Sequence, residues 1–206
     1  MRCMPTVRVY YNRLNSAPDT VHEPPLVIGV DEVGRGCLAG PVVVCAVLVR
    51  EDFSLQGVSD SKRMSSVRRA ALYDALPRQV LRYAIVSASS RHVDQVNIRS
   101  ATLAAMSMAV ARLRQEVHFP AKIDGNATPL GLTNAECIVG GDALIPAISM
   151  ASIIAKVYRD RLMAVLSYMY PGYGWDRNAG YGTKEHYEAL ALSGASPIHR
   201  TSFRLF

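Results

Sequence analysis

The chain has 206 residues, half of them hydrophobic and 19% charged, a balance that excludes a disordered polymer and supplies enough apolar surface for one compact core. Its 23 basic residues outnumber 17 acidic ones, leaving a net charge of +6, which favours a polyanionic partner. Cys3, Cys37, Cys45 and Cys137 follow no CxxC spacing, so buried thiols in a reducing compartment are expected, not disulfides or a zinc site.

Residues 1–25 carry Arg2, Arg8 and Arg13 but no continuous apolar run, and no later stretch is long enough to span a bilayer. A loosely held tail and a cytoplasmic location are therefore expected. Beyond Pro24-Pro25, apolar runs predict strands near 26–31, 42–49 and 80–88, and a helix over about 65–76 that Ser65 caps and Pro77 ends. Leu103, Met106, Val110 and Leu113 recur at helical spacing and mark one face of a helix over about 98–116. Short strands at about 120–124 and 135–139 precede a long helix over about 147–169, and a last helix covers about 183–193. Strands clustered early and then alternating with helices predict an α/β fold, a mixed sheet with helices packed on its faces.

Within that order the first strand delivers two adjacent carboxylates, Asp31 and Glu32, onto a glycine-arginine-glycine bend, Gly34-Arg35-Gly36. Like charges at short range disfavour joint ionisation, and a divalent cation would remove that cost. The glycines lack a Cβ, so their N–H groups can approach phosphate or sugar oxygens. Asp124 and Asp142 also close, or lie just past, apolar strands. If those strands are neighbours, their ends gather the acids in one cleft, where ligands of open α/β sheets bind. Metal and phosphate together point to phosphodiester chemistry. Lys62, Arg63, Arg68 and Arg69 cluster soon after the acidic motif, either as a solvated helix face or as a nucleic-acid contact.

Several segments in one chain order resemble the bacterial ribonuclease HII family, the type 2 ribonucleases H. They are GVDEVGRG at 29–36, LAGPVV at 38–43, DSK at 60–62, IDGN at 123–126, Gly141-Asp142, ASIIAKV at 151–157 with Arg159-Asp160, YPGYG at 170–174, GYGT at 180–183 and PIHR at 197–200. The resemblance implies a ribonuclease H-like mixed sheet flanked by helices, with a catalytic core over 26–170 and a helical C-terminal segment over 171–206 completing the substrate channel. It implies hydrolysis of the RNA strand of RNA-DNA hybrids and nicking of duplex DNA 5′ to embedded ribonucleotides, leaving 3′-hydroxyl and 5′-phosphate ends. Ribonucleotide excision and RNA primer removal are the implied roles, with a monomer acting in the cytoplasm and a sliding clamp as a conceivable partner.

By the same resemblance Asp31, Glu32, Asp124 and Asp142 are the catalytic acids and hold Mn²⁺ or Mg²⁺, two ions with substrate bound. Gly34, Arg35 and Gly36 read the 2′-hydroxyl, the one group that separates RNA from DNA at a given position. Tyr181 packs on the sugar at the ribonucleotide-to-deoxyribonucleotide junction. Ser152 and Lys156, four apart on one helix face, hold a phosphate, and Lys62 contacts another. The five histidines are assigned surface or structural roles, and Tyr173 and Trp175 packing. Cys37 stands where the family usually has proline, Gly140 and Ala179 where lysine is frequent, and Thr201 where a second arginine is common. Fewer basic groups predict a weaker grip or a shallower salt dependence.

Overall fold

In the computed structural model the described residues are 5–11, 24–54, 66–75, 80–114, 118–129 and 131–205. They contain strands β1 (Thr6–Tyr11), β2 (Leu26–Val33), β3 (Val42–Arg50), β4 (Arg82–Ala88), β5 (Ala121–Asp124) and β6 (Ala135–Ile138). The helices are α1 (Ser66–Ala75), α2 (Ser90–Val96), α3 (Ile98–Arg114), α4 (Gly141–Leu144), α5 (Pro146–Met169), α6 (Trp175–Asn178) and α7 (Lys184–Ser193). One sheet runs in the order β1-β4-β3-β2-β5-β6. Its first four strands are antiparallel to their neighbours, and β2, β5 and β6 are parallel. The expected mixed sheet with flanking helices is thus present.

Strand alternation divides the core into two layers. Val27, Val43, Cys45, Val47 and Val49 pack against Met150, Ala151, Ile153 and Ile154 of α5. Their neighbours Ile28, Val30, Val44, Ala46 and Leu48 point the other way, onto Ala105, Met106, Ala109, Val110 and Leu113 of α3. With helices on both faces, β3 reads as an unbroken apolar run. Each such aliphatic side chain contributes roughly 1.5–3 kcal/mol on burial. A third cluster, including Leu38, Ala39, Met163, Tyr173, Trp175 and Leu190, fastens the segment after α5 onto the loop between β2 and β3.

Among the described residues, four elements lie outside the expectation: β1, α2, α4 and α6. Residues 6–11, assigned to a loosely held tail, form β1 and pair with β4 from Thr6↔Ser87 to Tyr11↔Arg82. Val7 and Val9 turn to the α3 layer and Tyr10 to the α5 layer, where its ring stacks on Tyr83 at 4.5 Å. Alternation in a short segment is enough to dock an edge strand. The helix expected from 98 begins there, but α2 precedes it. Ser89 caps α2 by accepting from the His92 N–H (3.2 Å), and Asn97, at φ +67°, ends it and accepts from the Ser100 N–H (2.9 Å) to start α3. The long helix starts at Pro146 after the single turn of α4, since Pro suits the first helical position. No helix among the described residues is long and apolar enough to cross a membrane.

Candidate active site

β2 and β5 run parallel with Val30 paired to Ile123. The next residue on each strand is an acid, so Asp31 and Asp124 emerge side by side at the same sheet end. Asp31 shares the α5 face with Val27 and Gly29. At Gly29 the helix crosses so closely that a Cβ would lie 2.6 Å from the Ala147 Cβ and closer still to the Ala147 carbonyl group. This approach brings Ser152 and Lys156 of α5 to the end of the sheet where Asp31 lies. Glu32, although adjacent in sequence, alternates to the other face, where it also borders a small hollow with Arg99, Thr102 and Met106.

The result is a cleft of about 490 Å³ lined by Asp31, Glu32, Val33, Gly34, Arg35, Gly36, Asp124, Ser152, Ile153, Lys156 and Tyr181. Three of the four expected acids, the whole glycine-arginine-glycine bend, the Ser152–Lys156 pair and Tyr181 therefore meet. Asp142 does not line the cleft. It is buried in the first turn of α4, its carbonyl oxygen accepting from the Ser149 hydroxyl. Its neighbour Gly141 abuts Asp124, with a Cβ position 3.5 Å from Asp124 Oδ1. Lys62 and Arg63 lie outside the described residues.

Burial dominates the electrostatics. It lifts the Asp31 carboxyl to about 8; a hydrogen bond with the Ser152 side chain opposes the shift, and the charges of Glu32 and Asp124 add to it. Burial also raises Glu32, opposed by Arg35, whose Nη1 lies 3.1 Å from Glu32 Oε1. Asp31 accepts from the Glu32 N–H at 2.7 Å. Asp124 Oδ1 is buried without a hydrogen-bond partner. Among the described residues no three His, Cys, Asp or Glu side chains form a ready metal cage. Crowded carboxylates and an orphaned oxygen nevertheless fit a hard divalent cation, whose charge would offset their burial. Across the cleft, Lys156 Nζ lies 2.8 Å from Asp160 Oδ1 and 5.9 Å from the centre of the Tyr181 ring.

Two wholly buried arginines support the glycine-arginine-glycine bend and the segments beside it. Arg200 donates to the carbonyls of Gly34 (2.7 Å), Arg35 (2.8 Å) and Gly40 (2.9 Å). Arg159 donates to those of Ala39 (3.1 Å), Pro41 (2.9 Å) and Ala179 (2.7 Å). Burial lowers the Arg200 guanidinium to about 10, still charged at neutral pH. Gly34, at φ +90°, leaves room for Arg159, since a Cβ there would fall 2.8 Å from Arg159 Cδ. Sequence reasoning quoted both arginines within motifs without giving them a role. A signal existed for Arg159, which sits at the i+4 step between buried Ala155 and Met163, on the apolar stripe of α5. His186 and His199 are buried as well, consistent with structural roles.

The geometry is an acid-lined cleft at the parallel end of a mixed sheet, beside a glycine-arginine-glycine bend. Comparison with known proteins supplies the class. Ribonuclease HII of Sphingopyxis alaskensis is 49% identical over 180 residues, covering 86% of this chain and 88% of the relative. The fold is similar to ribonuclease H2 from Pyrococcus horikoshii, with TM-score 0.72, 25% identity, and coverage of 87% of this chain and 94% of that one. It is also similar to a chain in the PCNA:RNase HII complex from Archaeoglobus fulgidus, with TM-score 0.71, 26% identity, and coverage of 85% and 92%. The family model described as Ribonuclease HII matches residues 28–206, and the chain belongs to that family. It is a ribonuclease H, an enzyme of a metal-dependent endonuclease family.

Proposed function

We propose that the enzyme hydrolyses the RNA strand of RNA-DNA hybrids and nicks duplex DNA 5′ to embedded ribonucleotides, leaving 3′-hydroxyl and 5′-phosphate ends. The observation that carries this reading is the cleft itself, with carboxylates on one wall and a backbone-donor bend, a lysine and a half-exposed tyrosine around the rest. Asp31, Glu32 and Asp124 would hold Mg²⁺ or Mn²⁺, with Asp142, whose neighbour Gly141 abuts Asp124, as the fourth acid; two such ions would supply Lewis acidity for phosphodiester hydrolysis by water.

The chain's own residues select and orient the substrate. Backbone groups of Gly34, Arg35 and Gly36 read the 2′-hydroxyl, with Arg200 bonded to the carbonyls of Gly34 and Arg35 and Arg159 packed against Gly34. Lys156 and the Ser152 hydroxyl, one helical turn apart, hold a neighbouring phosphate, and Lys62 holds another. The Tyr181 ring packs on the sugar at the junction with deoxyribonucleotide. Fixing the phosphate on both sides of the cut orients the scissile linkage against the acids, which is where binding energy lowers the barrier.

In the cell the reading assigns the enzyme, as a cytoplasmic monomer, to ribonucleotide excision and RNA primer removal. A sliding clamp, the partner seen with the Archaeoglobus relative, is a subsidiary reading. The test is a labelled DNA duplex containing one ribonucleotide, incubated with Mg²⁺, Mn²⁺ or EDTA. A metal-dependent nick 5′ to the ribonucleotide, lost in Asp31→Asn and Asp124→Asn variants that remain folded, is expected. Full cleavage by either variant would overturn the assignment of the acids.

A further inference from the structure

Behind the Tyr181 loop, away from the cleft, a buried chain of hydrogen bonds ends on the Tyr181 backbone. The Ser196 N–H donates to His199 Nδ1 at 2.8 Å. That nitrogen therefore accepts, and the proton of a neutral His199 sits on Nε2, which lies 3.0 Å from His186 Nε2. Trp175 Nε1–H also donates to His186 Nε2, at 3.1 Å. His186 Nε2 accepts both, which leaves its proton on Nδ1, 2.9 Å from the Tyr181 carbonyl oxygen. Each ring then has one tautomer compatible with these bonds, with the His186 Nε2 lone pair shared between two donors. Both rings are enclosed, with Tyr173 edge-on to them at 4.8 and 6.1 Å, and burial holds both imidazoles below the ordinary histidine range, His199 at about 4.

Apolar side chains would fill this space at less desolvation cost, since buried polar groups stabilise little beyond what they lose from water. Here an indole, two imidazoles and a backbone amide form a chain that reaches one carbonyl through His186 Nδ1. Its residue carries the ring that lines the cleft. The same carbonyl accepts from the Thr183 N–H at 2.9 Å, and the Tyr181 N–H is held by the Asn178 carbonyl at 2.9 Å. Tyr181 is thus gripped at its backbone while the residue as a whole is 40% exposed.

We propose that His186 is a positioning residue for recognition of the ribonucleotide junction: fixed in one tautomer by Trp175 and His199, it holds the Tyr181 backbone and so sets where the ring meets the sugar. The inference rests on the reading of Tyr181 given above. It requires His186 to matter most for a duplex with a single ribonucleotide, where one sugar contact must discriminate, and less for a continuous RNA strand, where the other contacts are repeated.

The experiment compares kcat and KM on a single-ribonucleotide duplex and on a uniform RNA-DNA hybrid, for Tyr181→Ala, His186→Ala, His186→Asn and the Tyr181→Ala/His186→Ala double variant. His186→Ala is expected to lose about tenfold more kcat on the single-ribonucleotide substrate than on the hybrid, as a small misplacement of a positioning group does. Asn offers an amide N–H near the Nδ1 position and restores most of the loss. In the Tyr181→Ala background, removing His186 changes the preference no further. Equal losses on both substrates, absence of rescue by Asn, or an additive loss of preference in the double variant would each overturn the proposal. If His186→Ala does not fold, His199→Gln, which retains a donor toward His186, and His199→Leu, which removes it, make the same comparison; equal preference in those two would overturn it. Retention of the preference by Tyr181→Ala defeats the reading of Tyr181 itself. Its loss in Tyr181→Ala but not in His186→Ala defeats this inference alone.

Discussion

Substituting Gly29 by alanine tests whether the crossing of β2 and α5 sets the catalytic geometry. Gly29 lies two residues before Asp31 on the α5 face, and an added Cβ falls 2.6 Å from the Ala147 Cβ, with the Ala147 carbonyl carbon and oxygen closer still. Ordinary contact begins at 3.4 Å, so strand and helix must part by at least about 0.8 Å (3.4 − 2.6). No rotamer change relieves a clash with backbone. Overpacking of this kind costs roughly 1–3 kcal/mol, and the rigid neighbour puts this site near the upper figure. With a urea m-value of about 1–3 kcal/mol per molar, the unfolding midpoint should fall by about 1 M or more. The same separation shifts Ser152 and Lys156 away from Asp31, and a misplacement of about 1 Å costs on the order of 10²-fold in rate. Urea melts and kcat on a hybrid, measured where both proteins are folded, read the two effects separately. An unchanged midpoint would refute the packing argument, and a lowered midpoint with unchanged kcat would refute its link to catalysis.

Asp31 carries a pH prediction. Its carboxyl titrates near 8 in the fold against an ordinary aspartate value of 3.8, so the stability that its protonation supplies is complete below pH 3.8 and is lost as pH rises toward 8, at about 1.4 kcal/mol per unit at most. In EDTA the protein should therefore weaken from pH 5 to 8, and Asp31→Asn should flatten that slope and stabilise the protein at pH 8 while abolishing cleavage; identical slopes for the two proteins would defeat the assignment. Arg200→Lys replaces a planar fork spanning three carbonyls by one ammonium, which cannot reach all of them. A loss of about 3 kcal/mol and a raised KM for single-ribonucleotide duplex are expected, and an unchanged melting temperature would show that the fork does not hold the bend. Ala179→Lys restores a basic group beside Gly180-Tyr181, and the plot of log affinity against log salt should steepen by about 0.9 if the group meets a phosphate. Equal slopes would mean that position 179 does not touch the backbone of the duplex.

What was legible in the sequence is what local chemistry records. Acids closing apolar strands announced Asp31 and Asp124, and helical spacing put Ser152 and Lys156 on one face of α5. Period two in β2 also carries the separation of Asp31 from Glu32 across the sheet, although the pair reads at first as side by side. The supports of the bend were not legible, because their partners are backbone carbonyls. Arg200 reaches Gly34 across 166 positions, and a carbonyl leaves no mark on residue identity. The same holds for His186, whose partner is the Tyr181 carbonyl, and only the tautomers of a folded pair reveal the direction of the chain. Asp142 marks another limit, since its place in the sequence after a strand does not record that it opens the single turn of α4 and is buried there.

The grip of Arg200 on the bend, joined by the bridge between Ala39 and His199, has a consequence for biosynthesis. A nascent polypeptide halted before residue 200 already carries all four acids, yet lacks the guanidinium that holds its glycine-arginine-glycine bend. The bend therefore takes its held form only after the segment carrying residue 200 has left the ribosome and folded back onto it.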